Sequence, residues 1–344
     1  MPERQLENAV VLVAGGAGFI GSNFVHRLLA PGRSVRVVVL DKLTYAGNLE
    51  NHRAFENDPR FRFVKGDIAD PPAVAPLVKE ADYVVNFAAE THVDRSIEDQ
   101  SPLVRANIEG PLTLLNAVRE HPVTRFVQVG TDEVYGEVMD DPVDEEAPVK
   151  PRNPYSATKA GGDAMVHAYW ATFGLPVAIT RCSNNYGPYQ YPEKMIPLFT
   201  TNAMEDRPLP VYGSGKNRRD YIHVFDHCRA IEAVLTAEGE KVHGEIFNIA
   251  GGNEYDILEI AAVILDTLGK PHDLLRHVTD RPGHDRRYAM KAEKIRERLG
   301  FTPERTVEEA LPETIRWYVE NRTWWERIKS GAFRDYYERM YAGR

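Results

Sequence analysis

Short apolar runs alternate with stretches of helical spacing through the first half of the chain. Residues 9–14 are an apolar, β-branched run, followed at once by glycines and then by residues 23–29 in helical spacing. A second apolar run, 34–40, ends at Asp41, and 61–64, 82–88 and 126–129 are three more. Helical patterns at 71–79 and 103–119 lie between them; 155–173 reads as a long helix and 176–180 as the next strand. Strands that alternate with helices imply right-handed crossovers and a parallel sheet covered on both faces. The expected fold class is α/β, a doubly wound parallel sheet.

The texture changes after about residue 183. Pro188, Pro192, Pro197, Pro208 and Pro210 interrupt regular elements, and Asn184, Asn185, Lys194, Lys216, Arg218 and Arg219 are interspersed with aromatics. Helical patterns return at 225–237, 258–268 and 307–321. This predicts a sheet domain over 1–183 and a smaller lobe over 184–344 that binds the substrate, with later segments able to cross back to the sheet. The acidic run 140–146 is expected to be a solvated loop.

With 344 residues the chain has room for two domains, or one large domain and a lobe. Hydrophobic residues at 43% and charged residues at 27% are ordinary for a soluble globular protein. No apolar run is long enough for a membrane span, and the charged N-terminus lacks the apolar stretch of a signal peptide. The two cysteines, Cys182 and Cys228, fit free thiols in a reducing cytoplasm. A net charge of −9 argues against nucleic-acid or membrane-surface binding, though not against a phosphate-bearing substrate met by a local cationic cluster.

The chemistry concentrates in a few places. Gly15, Gly18 and Gly21 are spaced three apart between the first strand and its helix. Such glycines let the backbone turn tightly and let a pyrophosphate approach a helix N-terminus, the arrangement of a Rossmann-type dinucleotide site. Asp41 ends the second strand and can bind both ribose hydroxyls while repelling a 2′-phosphate, which favours NAD over NADP; Lys42 beside it weakens that exclusion. Asp67 and Ile68 follow a strand and can flank adenine. Ala88 and Ala89, at another strand's end, leave room for a ligand, whereas His92 reads as structural. Thr131, Asp132 and Glu133 follow the fifth strand. Three polar side chains there are costly unless something uses them, a helix cap or a reaction. Tyr155 and Lys159, four apart, share a helix face, and a nearby ammonium favours phenolate, so Tyr155 can take a proton from an alcohol. The histidines are scattered and no metal motif occurs.

The glycine loop and the Tyr155/Lys159 pair resemble those of the extended short-chain dehydrogenase/reductases. Several blocks are similar to the dTDP-glucose 4,6-dehydratase group within them: 41–49, 131–136, 183–188, 192–194 and 280–285. The likeness runs from about residue 9 to about residue 330. It implies an NAD-dependent hydro-lyase acting on dTDP-glucose, a homodimer, in which Tyr155 takes the C4 hydroxyl proton and Lys159 lowers its pKa. Thr131 would orient the sugar, Glu133 remove the C5 proton and Asp132 protonate the leaving C6 hydroxyl. For the cofactor it implies Gly15, Gly18, Phe19, Ile20, Gly21, Asp41, Lys42, Thr44, Asp67, Ile68, Ala88, Ala89, Tyr155, Lys159 and Asn185. For the substrate it implies Thr91, Thr131, Asn184, Lys194, Met195, Pro210, Tyr212, Arg219, Arg281, His284 and Tyr288, with Lys194, Arg219 and Arg281 meeting the pyrophosphate. Gly130, where the group often has serine, and Ile257, where it often has a nucleotide-contacting asparagine, depart from the pattern. Two rivals remain: an epimerase or decarboxylase on the same scaffold, which would not need the Asp132/Glu133 pair, and a non-catalytic dinucleotide sensor, which would not need Tyr155 and Lys159.

Overall fold

The apolar runs assemble into a seven-stranded, wholly parallel sheet. The structure, a computed structural model, describes residues 6–91, 99–280 and 283–330. Strands β1 (Val10–Ala14), β2 (Arg36–Asp41), β3 (Phe61–Lys65), β4 (Tyr83–Asn86), β5 (Arg125–Thr131), β6 (Val177–Cys182) and β10 (Ile246–Ile249) lie in the order β10-β6-β5-β4-β1-β2-β3. The order reverses next to β1, and a crevice opens there at the strands' carboxyl ends. Every residue of β1, β4, β5 and β6 is buried, as expected of strands covered on both faces. One apolar layer gathers Val11, Val13, Phe24 and Phe247; the opposite layer gathers Leu12, Leu40, Phe126 and Ile179.

Residues after 183 build the smaller sheets. Strand β9 (Arg218–His223) is flanked by β7 (Asn184–Tyr186) and β11 (Glu254–Asp256), while β8 (Leu209–Tyr212) pairs with β12 (Leu275–Val278). Their core is Tyr186, Phe199, Ile264 and Leu311. The chain returns to the main sheet through β10, which pairs in parallel with β6.

Two expectations need correction. The helix expected over 103–119 is broken: Ser101–Val104 leads into a π turn, Arg105–Glu109, before regular helix resumes at Gly110–Glu120. The acidic run is not wholly solvated. Glu145 is buried and accepts the Asn248 N–H at 2.8 Å, because that amide needs an acceptor inside the fold. Among the described residues no helix is long and apolar enough to cross a membrane. Cys182 and Cys228 are buried and unbridged.

Candidate active site

Three carboxyl-end segments of the main sheet converge on one cavity, which also takes in the start of the long helix. The glycine loop follows β1 and leads into α1 (Phe19–Leu28), whose N-cap is Gly18. Gly15 has φ +75°, and a Cβ on it would stand 2.4 Å from the Ala88 nitrogen. Only glycine lets the first turn pack this close to β4's end. Among sequence-assigned cofactor residues, Gly15, Gly18, Phe19, Ile20, Gly21, Asp41, Lys42, Thr44, Asp67, Ile68, Ala88, Ala89, Tyr155, Lys159 and Asn185 all line the cavity. A tight turn, unpaired helix-start N–H groups and an acidic strand end fit a dinucleotide pyrophosphate and ribose.

The carboxylates beside that loop are already engaged. Asp41 accepts the Ala17 N–H at 2.9 Å on Oδ2 and the Leu43 N–H at 2.8 Å on Oδ1. Burial raises its pKa while those two amides oppose the rise. Asp67 is bracketed by Lys42 Nζ at 2.8 Å and Arg105 Nε at 3.0 Å. The positive charge of Lys42 is therefore committed to Asp67 and does not stand free beside Asp41.

The fifth strand delivers the polar triplet. Thr131 caps the short turn Asp132–Tyr135, its hydroxyl accepting the Glu133 N–H at 3.3 Å. The same hydroxyl lies 3.3 Å from Asp132 Oδ1, to which it donates. The helix cap is therefore made, by Thr131, and it leaves the Asp132 and Glu133 carboxyl groups out of the capping bond. Asp132 is buried, and its Oδ2 has no hydrogen-bond partner among the described residues. Burial, reinforced by Glu133, pushes its pKa up to about 8, against the pull of Arg219. At neutral pH this carboxyl holds its proton, unlike an ordinary aspartate.

Tyr155 and Lys159 come from α2 (Pro154–Phe173). Asn153 caps it in a reciprocal box with Ser156, Pro154 occupies the first turn, and Gly174 ends it in the left-handed conformation. The cap fixes where the helix begins, and hence that Tyr155 stands in its first turn at the cavity wall. The expected lowering of the tyrosine pKa by Lys159 is not the dominant effect in this structure. Burial, then Glu133, raises Tyr155 well above the usual phenol value, and Lys159 Nζ instead donates to the Val129 carbonyl at 2.7 Å. Burial lowers the pKa of Lys159, opposed by Asp163. Asp163 is itself paired with Arg181 at 3.0 Å, both nearly sealed from solvent.

Thr91, Asn184 and Lys194 also line the cavity, with Lys194 Nζ donating to the Thr91 carbonyl at 3.2 Å. Met195, Pro210, Tyr212, Arg219, His284 and Tyr288 do not line it. Pro210 and Tyr212 belong to β8, and Tyr212 meets the His284 ring edge-on at 6.1 Å. Arg219 is no surface cation: it is buried over the Tyr288 ring at 4.2 Å and donates to the Asp285 carbonyl at 2.8 Å. Through its effect on Asp132 it borders the reacting end of the cavity. Arg281 and His92 lie outside the described residues. Ile257 begins the helix Ile257–Leu268 and packs on the small-lobe core.

Several participants escaped the sequence reading. Asn107, in the π turn, donates to the Glu90 carbonyl at 3.1 Å and to Thr158 Oγ1 at 2.9 Å, tying the end of β4 to α2. His227 Nδ1 lies 2.8 Å from Asn185 Oδ1; burial pushes its pKa down to about 3, so the ring is neutral. Asn185 Nδ2 donates to Ser183 O, so its Oδ1 accepts and the histidine carries its proton on Nδ1. Both pairs join segments far apart in the chain, and no local periodicity marks them.

Comparison with known proteins agrees with this geometry. Residues 12–314 match the family model described as GDP-mannose 4,6 dehydratase. A dTDP-glucose 4,6-dehydratase of Streptomyces niveus is 52% identical over 324 residues, 93% of this chain and 96% of that one. A dTDP-glucose 4,6-dehydratase of Streptomyces venezuelae, whose crystal structure has NAD bound, superposes with a TM-score of 0.90 at 48% identity, covering 93% of this chain and 100% of that one. A UDP-glucuronic acid 4-epimerase of Bacillus cereus shares the fold at TM-score 0.85 but only 28% identity, covering 90% of this chain and 99% of that one. With its family match, its glycine loop and its Tyr155/Lys159 pair in one cavity, the chain belongs to the GDP-mannose 4,6 dehydratase family of extended short-chain dehydrogenase/reductases, on the side of the dTDP-glucose 4,6-dehydratases.

Proposed function

We propose that the protein is an NAD-dependent dTDP-glucose 4,6-dehydratase, forming dTDP-4-keto-6-deoxyglucose. The observation that carries this reading is Asp132, a buried carboxyl whose Oδ2 has no partner among the described residues, beside Glu133 in the cavity that also holds Tyr155 and the glycine loop. An epimerase would need no such acid. NAD, when bound there, would take a hydride from C4 and, as the reduced form, return it to C6. Tyr155 takes the C4 hydroxyl proton, and Thr131 orients that hydroxyl. Glu133 removes the C5 proton made acidic by the new ketone, and returns a proton to C5 when hydride is delivered to C6. Asp132 gives its proton to the departing C6 oxygen, which leaves as water. Lys159 supports Tyr155 and the nicotinamide ribose; Asn185, held by His227, lies against the cofactor. Lys194 and Arg219, with Arg281, neutralise the pyrophosphate, and Asn184 and Thr91 border the sugar. The nucleotide would extend past the cavity lining toward Pro210, Tyr212, His284 and Tyr288, with Met195 nearby.

The direct test is incubation with dTDP-glucose and, separately, UDP-glucose, without added cofactor. Formation of a 4-keto-6-deoxy product from dTDP-glucose is expected; a 4-epimer instead would assign the chain to the epimerases. The cycle returns the cofactor to its starting state, so the purified protein is expected to carry NAD(H). Heat denaturation and assay of the supernatant measures it. Activity restored by NADP⁺ alone would contradict the role of Asp41.

The protein is expected to be a homodimer. The helices Gly110–Glu120 and Pro154–Phe173 pack side by side through Tyr169 Oη and Asn116 at 2.7 Å. The second leaves Trp170 and Phe173 exposed, and two copies can cover them isologously. Light scattering at micromolar concentration should give twice the chain mass; a monomeric mass would refute the arrangement.

A further inference from the structure

The Ala17–Gly18 peptide in the glycine loop is held at both ends. Gly18 N–H donates to the Gly15 carbonyl at 3.3 Å, and the Ala17 carbonyl accepts from Asn48 N at 3.0 Å and from Asn51 Nδ2 at 3.0 Å. This peptide sets the direction in which α1 starts, and so where its first N–H groups point. Asn51 is buried, and all its polar side-chain atoms are used: Nδ2 on Ala17, Oδ1 on the indole N–H of Trp324 at 2.9 Å. An indole N–H can only donate and a carbonyl can only accept, so the amide orientation is fixed. The Asn51 carbonyl meets His26 Nε2 at 2.7 Å, anchoring the same residue to α1.

Trp324 lies 273 residues further along the chain, in α3 (Arg322–Lys329). It sits in an aromatic nest with Trp317 at 5.3 Å and Tyr189 at 5.8 Å. Arg327 of the same helix pairs with Glu50. Residues 44–47 line the cofactor cavity, and the segment that continues from them carries Glu50 and Asn51. We propose that α3 is a clasp on the cofactor loop and that Trp324 and Asn51 are positioning residues, their hydrogen-bond relay to Ala17 slowing release of the dinucleotide. The inference rests on the reading of the cavity as an NAD site. Retention matters in a cycle that regenerates its cofactor, since each loss leaves an enzyme unable to begin.

The test is the rate at which bound NAD exchanges from the purified protein, followed with labelled NAD⁺. The parent must first be shown to carry NAD on denaturation; if it carries none, the cofactor reading fails and the clasp goes with it. Given a loaded parent, Trp324→Phe keeps the ring and removes only the N–H. Its exchange is expected to be on the order of tenfold faster, the effect of one buried hydrogen bond left unmade. Turnover should fall without added cofactor and recover with excess NAD⁺, with KM for the sugar nucleotide unchanged. Asn51→Ser, which removes the side-chain amide bond to the Ala17 carbonyl and leaves the rings of the nest and the Asn48 N–H bond in place, should act in the same direction and serves if Trp324→Phe does not fold. Trp317→Phe, in the same nest without the relay, should exchange at the parent rate. Parent-like exchange in folded Trp324→Phe or folded Asn51→Ser overturns the proposal. Equal acceleration in Trp317→Phe overturns it too, by reducing the effect to general loosening.

Discussion

Asp132→Asn is expected to separate the half-reactions. Oxidation at C4 asks for Tyr155, Thr131, Lys159 and the cofactor, none of which the substitution removes. Elimination asks for an acid at C6, because hydroxide is a poor leaving group. Loss of a placed general acid should slow that step by roughly 10²–10⁴-fold. Mixed with dTDP-glucose, the variant should accumulate reduced nicotinamide absorbance, whereas the parent should show little. Glu133→Gln should stall at the same stage, by loss of the base for C5. A substrate bearing fluoride at C6 needs less help to leave, so it should rescue Asp132→Asn more than Glu133→Gln. Dehydration by both variants at the parent rate would remove the acid–base reading and return the chain to the epimerase or decarboxylase reading.

The pKa of Asp132 adds a pH signature. The folded state holds this carboxyl protonated up to about pH 8, while an unfolded aspartate releases its proton near the ordinary value of 3.8. Between those limits the native state binds more protons than the unfolded state, so stability falls as pH rises from about 4 to 8. Asp132→Asn has no such proton to lose. Its melting temperature should gain on the parent's as pH is raised through that window. Elimination by the parent should decline above about pH 8, as the acid is lost. A melting-temperature difference independent of pH would mean that Asp132 is ionised in the fold and cannot be the acid.

Tyr155→Phe should remove the first step altogether. In the proposed reaction the Tyr155 phenolate takes the C4 hydroxyl proton, and without it both cofactor reduction and product formation should fall by at least ~10²–10⁴-fold. The ring remains to fill its buried site, so the fold should persist, as circular dichroism can verify. Because burial and Glu133 raise the Tyr155 phenol so far, its deprotonation needs positive charge beside it. The cationic ring of bound NAD⁺ is one source and Lys159 the other. Tyr155 titration is therefore expected to shift down on cofactor loading, readable by ultraviolet difference spectroscopy. Parent-like reduction of the cofactor by Tyr155→Phe would dismiss the role.

The sequence by itself determined the sheet strands from β1 to β6, because short, continuously apolar runs bury on both faces wherever they pair. It marked the glycine turn, the acidic end of β2 and the Tyr155/Lys159 helix, since each depends on residues within a few positions of one another. Two carboxylates beside the Tyr155/Lys159 pair suggested split acid and base roles, against a cap made by Thr131 or Asp132, and the resemblance then said which of Asp132 and Glu133 would be which. Only the tertiary structure decided what these groups experience. The pKa of Asp132 is raised because the end of β5 buries it near Glu133, and Lys159 turns to Val129 because that carbonyl is within reach. The return of β10 to the main sheet, the pairing of His227 with Asn185 and the relay from Trp324 to Ala17 join residues tens to hundreds of positions apart. Such contacts leave no period in the chain. They exist because buried donors and acceptors must find partners wherever folding has brought them.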